Sequence, residues 1–252
     1  MTALEITQWL DDMPLKLIHR NGQKRIYIRL DAGEIVSVTR FESVGALEDF
    51  RDRRRALLDS AGDCPSLCIP NYLREWVSPW ECLLAETMPV GTEGVFELEA
   101  LFEALTDLHD RGWTHMDVKP ENLLWFDGRW KLIDFDGAMR MGERYKRRQI
   151  TFEYAPPEAS RYDLADGGDD LYAAALMLYE RKNGGRLPLE RHDRRFAVRM
   201  RGYMPCLPPP RGCTRGEARF FKKALARRRT RRYATIRTLW RDWQIATNEE
   251  RE

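Results

Sequence analysis

The stretch from His115 to Gly137 constrains this chain more than any other. It reads His115-Met116-Asp117-Val118-Lys119-Pro120-Glu121-Asn122, then ten residues, then Ile133-Asp134-Phe135-Asp136-Gly137. Asp117 can accept the proton of an attacking hydroxyl. Asn122 and Asp134 offer hard oxygen ligands to a divalent cation. Lys119, two residues past Asp117, carries a compact positive charge on a flexible stem. The segment between these groups predicts a strand, an Asp127-Gly128 turn and a second strand. Such a hairpin returns Asp134 beside Asn122. A lone His or Asp is usually structural, so it is the joint spacing that points to a site.

The rest of the chain supplies a core to hold such a site. Of its 252 residues 43% are hydrophobic, with eight Trp and ten Phe, which argues against disorder. That length fits one large domain or two lobes around a cleft. Net charge is only +2, but residues 191–232 carry fifteen basic side chains against two acidic ones. The five cysteines are odd in number, and Cys64-x-x-x-Cys68 has no matching Cys/His pair nearby, which points away from zinc and towards a reducing compartment. No apolar run approaches 18 residues, and the first twenty lack a signal-peptide pattern. The expectation is a soluble chain of the cytoplasm, with no membrane partner. Host cytoplasm is the corresponding expectation for a pathogen effector or viral protein.

Strands are expected at 15–19, 25–30, 35–41, 71–77 and 82–87, with a charged helix over 47–58. Leu98, Leu101, Phe102, Leu105 and Leu108 fall on one helical face that runs into the His115 segment. Beyond Asp134 the chain reads as helical with short loops.

Taken with its spacing, the His115–Gly137 segment resembles the protein-kinase signatures H-R-D-L-K-x-x-N and D-F-G. Further stretches extend the resemblance over nearly the whole chain. Thr151-Phe152-Glu153-Tyr154-Ala155-Pro156-Pro157-Glu158 is similar to T-P-E-Y-x-A-P-E, which closes the kinase activation segment. Asp170-Leu171-Tyr172-Ala173-Ala174-Ala175-Leu176 resembles the buried helix whose Asp braces the catalytic loop. Gly185-Arg186-Leu187-Pro188 and residues 225–232 resemble the later G-x-x-P and L-x-x-D-P-x-x-R, and the latter implies that Arg232 pairs with Glu158. Leu83-Leu84-Ala85-Glu86-Thr87-Met88-Pro89 resembles L-V-x-E-Y-M-P. That places Ala85 at the gatekeeper position, and Glu86 and Met88 in the hinge that meets adenine. The implied fold is α+β and bilobal in one domain spanning 1–252, with a small sheet-plus-helix lobe to about residue 88 and a large helical lobe over 89–252.

The nucleotide-binding lobe departs from the family. Of three expected glycines in the phosphate loop only Gly22 is present, in Arg20-Asn21-Gly22-Gln23-Lys24-Arg25. The lysine of V-A-I-K is replaced: Val36-Ser37-Val38-Thr39 puts Thr39 there, with Arg40 next. Its usual helix partner, a Glu, falls near Arg53. Either Lys24, as in the With-No-Lysine kinases, or Arg40 could supply the missing charge, or none does. Met116 stands where many kinases carry the Arg that gathers a phosphorylated loop.

The resemblance implies ATP as phosphoryl donor and Mg²⁺ or Mn²⁺ held by Asn122 and Asp134. Asp117 would be the base and Lys119 the charge neutraliser, acting on Ser or Thr of a protein. Two alternatives stay open: a non-catalytic pseudokinase acting as a binding scaffold, and a small-molecule phosphotransferase of the aminoglycoside or choline type, which also carries I-D-F-D. Arg140, Arg144, Lys146, Arg147 and Arg148 suggest an acidic protein substrate. The basic run at 227–232 could serve nuclear import or nucleic acid. A solvated loop with Arg232 turned onto Glu158 is the simpler reading, so nucleic acid is not the expected partner. Oligomeric state is not legible.

Overall fold

The computed structural model describes residues 8–10, 12–144, 151, 153–159, 163–187 and 207–248. Contacts divide the chain into two compact units, Met1–Gly94 with Leu124–Arg129, and Val95–Leu123 with Trp130–Glu252. The first therefore extends past the boundary expected near residue 88. No helix among the described residues is long and apolar enough to cross a membrane.

The first unit is an antiparallel sheet in the order β1-β2-β3-β5-β4, formed by β1 (Leu15–Arg20), β2 (Lys24–Arg29), β3 (Glu34–Phe41), β4 (Asn71–Val77) and β5 (Cys82–Pro89). Isoleucine and valine crowd β2 and β3, as pleated, half-buried strands favour. Alternation gives the sheet two different faces. On one, Val36, Val38, Trp76, Leu83 and Ala85 form a buried cluster. On the other, Cys82 and Leu84 pack against Leu47 and Phe50 of α1 (Val44–Ala61). Helix α1 is started by Ser43, whose hydroxyl accepts from the Ala46 amide at 3.1 Å. Its buried side chains are Leu47, Phe50, Arg54, Leu57 and Ala61, spaced by threes and fours along one face.

Arg54 in that apolar row is the unexpected member. Its guanidinium donates to Glu86 of β5, Nε to Oε1 at 2.6 Å and Nη2 to Oε2 at 3.4 Å, with both side chains almost fully buried. This ion pair ties α1 to β5. Where the sequence reading sets a helix residue near Arg53, the neighbour one position on is the one turned inward.

Gly91 meets a different demand. A Cβ there would lie 2.6 Å from the Phe126 ring and 2.8 Å from the Leu124 Cβ, so only hydrogen leaves room. Next to it, Thr92 and Trp125 exchange both backbone hydrogen bonds, at 3.0 and 2.8 Å.

The second unit is built on α2 (Leu98–Asp110), α3 (Gly168–Lys182), α4 (Arg215–Ala224) and α5 (Ile236–Asn248). Leu101, Phe102, Leu105 and Leu108 of α2 are buried on the expected face. Trp240 of α5 stacks on Phe102, ring centroids 4.3 Å apart. A hydrogen-bonded Thr214–Glu217 capping box starts α4. The short strands β6 (Trp113–Thr114) and β9 (Met139–Arg140) pair antiparallel. Beyond Asp134 the chain is therefore not purely helical. Cys64, Cys68, Cys82 and Cys213 are free thiols; Cys206 and Pro188 lie outside the described residues.

Breaking the α1–β5 ion pair leaves a stranded buried charge. Arg54→Met is expected to lower stability by about 3–5 kcal/mol, read as a shift in urea midpoint. Arg54→Met with Glu86→Met is expected to recover most of that loss. A double variant no more stable than the single one would show that the charges are not what matters.

Candidate active site

One carboxylate organises the loop that carries Asp117. Asp170, fully buried in the first turn of α3, accepts hydrogen bonds from Thr114 Oγ1 at 2.7 Å, the His115 amide at 2.7 Å and the Met116 amide at 2.8 Å. His109 Nε2 of α2 lies 2.9 Å away. Burial opposes ionisation, but the His109 and Thr114 hydrogen bonds and the nearby histidines outweigh it, holding the carboxyl below its ordinary range. Met116 takes a left-handed backbone conformation, φ 71°, unusual for a non-glycine residue. The amides of His115 and Met116, just before this turn, both point to the one carboxylate. His115 Nε2 contacts the Ile133 carbonyl at 2.8 Å, and its ring meets Phe135 edge-on at 5.0 Å.

The functional side chains follow from this frame. Lys119 Nζ donates to Asp117 Oδ2 at 2.6 Å and to Thr151 Oγ1 at 3.2 Å. Asn122 Nδ2 donates to the Asp117 carbonyl at 2.8 Å, which leaves its amide oxygen as a ligand atom. Strands β7 (Leu123–Phe126) and β8 (Arg129–Leu132) are the expected hairpin, with positive φ at both Asp127 and Gly128. The Ile133 amide returns to the Asn122 carbonyl at 2.9 Å, so Asp134 follows directly beside Asn122. Asp134 itself is left-handed, φ 64° and ψ 62°, the third non-glycine residue of this region with positive φ after Met116 and Asp127.

Among the described residues no group of three or more His, Cys, Asp or Glu side chains could hold a metal on its own. An amide oxygen and a carboxylate suit Mg²⁺ completed by substrate phosphates rather than a closed protein cage. Asn122 and Asp134 fit that requirement.

A recess beside Asp117 is lined by Val118, Thr151, Tyr154, Pro156 and Asp169. The Tyr154 hydroxyl donates to Glu180 at 2.7 Å. Burial and the neighbouring Glu180 push the Tyr154 phenol above its ordinary range. At the far end of this segment, Arg232 clamps Glu158 with two parallel bonds, 2.6 and 2.8 Å. This is the pairing the sequence implied. Arg229, which sequence reading passed over, also reaches Glu158 at 3.2 Å, Asp169 at 2.8 Å and Asp166 at 3.0 Å.

The bases of the activation segment are held together by backbone. Gly142 donates to Ala165 at 2.7 Å, Ala165 returns to Glu143 at 2.9 Å, and Arg144 bridges Leu164. Arg144 pairs with Asp163, and Arg140 lies over the Trp113 ring at 5.0 Å. Both stay exposed at the surface while making these contacts. Lys146, Arg147, Arg148 and Phe152 lie outside the described residues.

In the first unit, Lys24 is the direct cross-strand partner of Thr39, which in turn opposes Leu84. Opposed residues share a face, so all three lie on the α1 side of the sheet. Arg40 is one residue out of phase. It falls on the opposite face, opposed to Leu83, and sits 3.9 Å from Glu81 near the surface. Ala85 is fully buried within the Val36–Trp76 cluster, on the face away from α1. The Glu86 side chain is committed to Arg54. Met88, half-buried near the end of β5, opposes Ile35. Gly22 has ordinary negative φ and nothing near its Cβ position. The turn is shaped instead by Asn21 Oδ1, which accepts from the Gln23 and Lys24 amides at 2.9 and 2.7 Å.

Sheet-bearing unit, helical unit and the loop around Asp117 together define a protein kinase architecture. The protein kinase domain model matches residues 84–243, and the chain belongs to that family. Mouse serine/threonine-protein kinase SBK1 is 35% identical over 138 residues, 49% of this chain and 33% of that protein. Serine/threonine-protein kinase 1 of Orgyia pseudotsugata multicapsid polyhedrosis virus is 37% identical over 92 residues, 36% of this chain and 34% of that protein. The matched stretches thus span about a third of these relatives' length. The structure of the Cydia pomonella granulovirus kinase PK-1 superposes with a TM-score of 0.67 at 16% identity, covering 94% of this chain and 95% of that one. At that identity the likeness shows the fold, α+β and bilobal.

Glu158 gives a pH-dependent test of the clamp. Burial raises its pKa, but the Arg232 hydrogen bonds and charge win and hold it below 4.5. The clamp's contribution is therefore complete above about pH 4.5 and fades as pH falls through the depressed folded value. Glu158→Gln is expected to be less stable at neutral pH and to lose less stability below pH 4.5 than wild type. Parallel acid-unfolding curves would contradict this.

Proposed function

We propose that this chain transfers the γ-phosphate of ATP to a Ser or Thr hydroxyl of a protein substrate. The observation that carries the reading is Lys119 joined to both Asp117 and Thr151, with Asn122 fastened to the Asp117 carbonyl. The Asp117 carboxylate takes the proton of the attacking hydroxyl. The new O–P bond forms as the bond to the departing ADP oxygen breaks. Lys119 offsets negative charge on the transferring group, which is where positioned charge has most effect. Mg²⁺ or Mn²⁺ held by Asn122 and Asp134 would supply charge neutralisation on the phosphates. Thr151 and Tyr154, lining the recess beside Asp117, are part of a peptide-binding platform and favour protein over small alcohol substrates.

Lys24 takes over the phosphate-orienting role of the absent strand lysine, because it lies across from Thr39 on the same face. Lys24→Met should then cut turnover at least about tenfold, with Thr39→Lys restoring part of it and Arg40→Met mild. A larger loss from Arg40→Met would reject the assignment.

The decisive assay is labelled ATP with Mg²⁺ or Mn²⁺, a protein and peptide panel, and a panel of small alcohols. Phosphoserine or phosphothreonine is the expected product. Asp117→Asn and Asp134→Asn are expected to lower the rate by about 10²–10⁴ with native melting curves. Nucleotide binding without turnover would select a pseudokinase, and turnover of small alcohols alone a small-molecule phosphotransferase.

Regulation follows from the backbone ladder at 142–144 and 163–165 and from Met116 in place of arginine. The described ends of the segment are joined by backbone without a phosphate. Phosphatase-treated protein should therefore match untreated protein on an external substrate, and a large drop in rate would refute this.

A further inference from the structure

The Arg-Arg-Arg-Thr-Arg-Arg run at 227–232 is sorted by the fold into two sets. Arg229 and Arg232 turn inward to Glu158, Asp166 and Asp169. Arg227, Arg228 and Arg231 stay exposed and join Arg219, Lys222 and Lys223 of α4 around one groove, with Ala226 in its floor. No carboxylate lines this groove. Lys223 is partly balanced by Asp242 at 3.3 Å and by the Tyr233 ring at 3.9 Å. Among the described residues no carboxylate pairs with Lys222, Arg227, Arg228 or Arg231.

Cations three and four positions apart on α4, such as Arg219 with Lys222 and Lys223, repel one another. Gathering three more around the same concavity adds to that cost in the free protein. An anionic occupant would remove it.

We infer that this groove docks an acidic, extended segment of a partner protein. The aliphatic stems of the arginines and lysines, with Ala226, form an apolar floor beneath a cationic rim. An extended peptide that alternates carboxylates with short apolar side chains presents one set to each. Nucleic acid fits less well: none of the lining residues is aromatic, so unpaired bases have no stacking platform. The inference concerns binding alone and does not depend on phosphoryl transfer.

The test is fluorescence anisotropy of the whole protein with a labelled peptide alternating Glu and Ala, at about 50 and about 300 mM salt. Saturable binding at low salt, weakened at high salt, is expected. Arg227→Glu with Arg231→Glu should weaken it at least about tenfold, and the milder Lys222→Ala with Arg231→Ala should weaken it by a smaller factor. Both pairs should melt as wild type does. A duplex oligonucleotide of equal charge should compete poorly. Absence of saturable binding, indifference to both variant pairs, or displacement by duplex at lower concentrations than by unlabelled peptide would each overturn the inference.

Discussion

A single desolvated carboxylate sets the geometry of the functional half of this protein. Asp170 has no exposure to solvent, so each of its oxygens must be satisfied by protein, and it is satisfied by the loop it supports. Two of its bonds come from consecutive backbone amides, those of His115 and Met116, and the chain turns into a left-handed conformation at Met116 directly after them. The loop's shape is thereby imposed from beneath, by α3, and the downstream residues inherit it: Asp117 faces Lys119, and Asn122 returns to the Asp117 carbonyl. Preorganisation of this kind keeps the charge-bearing groups in place before any substrate arrives.

Much of this was legible in the sequence because spacing alone encodes it. The hairpin between Asn122 and Asp134 follows from an Asp-Gly turn between two short apolar runs. The Glu158–Arg232 pairing followed from the family likeness of two distant motifs. What the sequence did not show around the site concerns side-chain phase or pairing in three dimensions. Arg40 and Thr39 are adjacent in sequence, and only the cross-strand register shows that Thr39 shares a face with Lys24 while Arg40 does not. Ala85 and Glu86 differ in the same way. His109 and Arg229 escaped notice because nothing local marks a residue that serves a carboxylate some sixty positions away. Arg54 did leave a signal, sitting in the i, i+3, i+4 row of Leu47, Phe50 and Leu57, where a charged residue must have a buried partner.

Charge in the helical unit is divided by depth rather than by sequence. Neighbouring arginines in one short turn serve opposite purposes, some spent on buried carboxylates and some left at the surface. Composition counts the same net positive charge in either case. Only burial separates the fastening cations from those available to a partner.

The Arg54–Glu86 pair bears on which changes this chain tolerates. Both side chains are almost fully buried, so neither charge can turn to water when its partner is lost. Changing Arg54 to Glu would set two carboxylates together in a dry space. Changing Glu86 alone would abandon a guanidinium there. Each single step folds worse than the intact pair. The two positions are therefore coupled in descent: a relative in which one partner has changed should have changed the other as well.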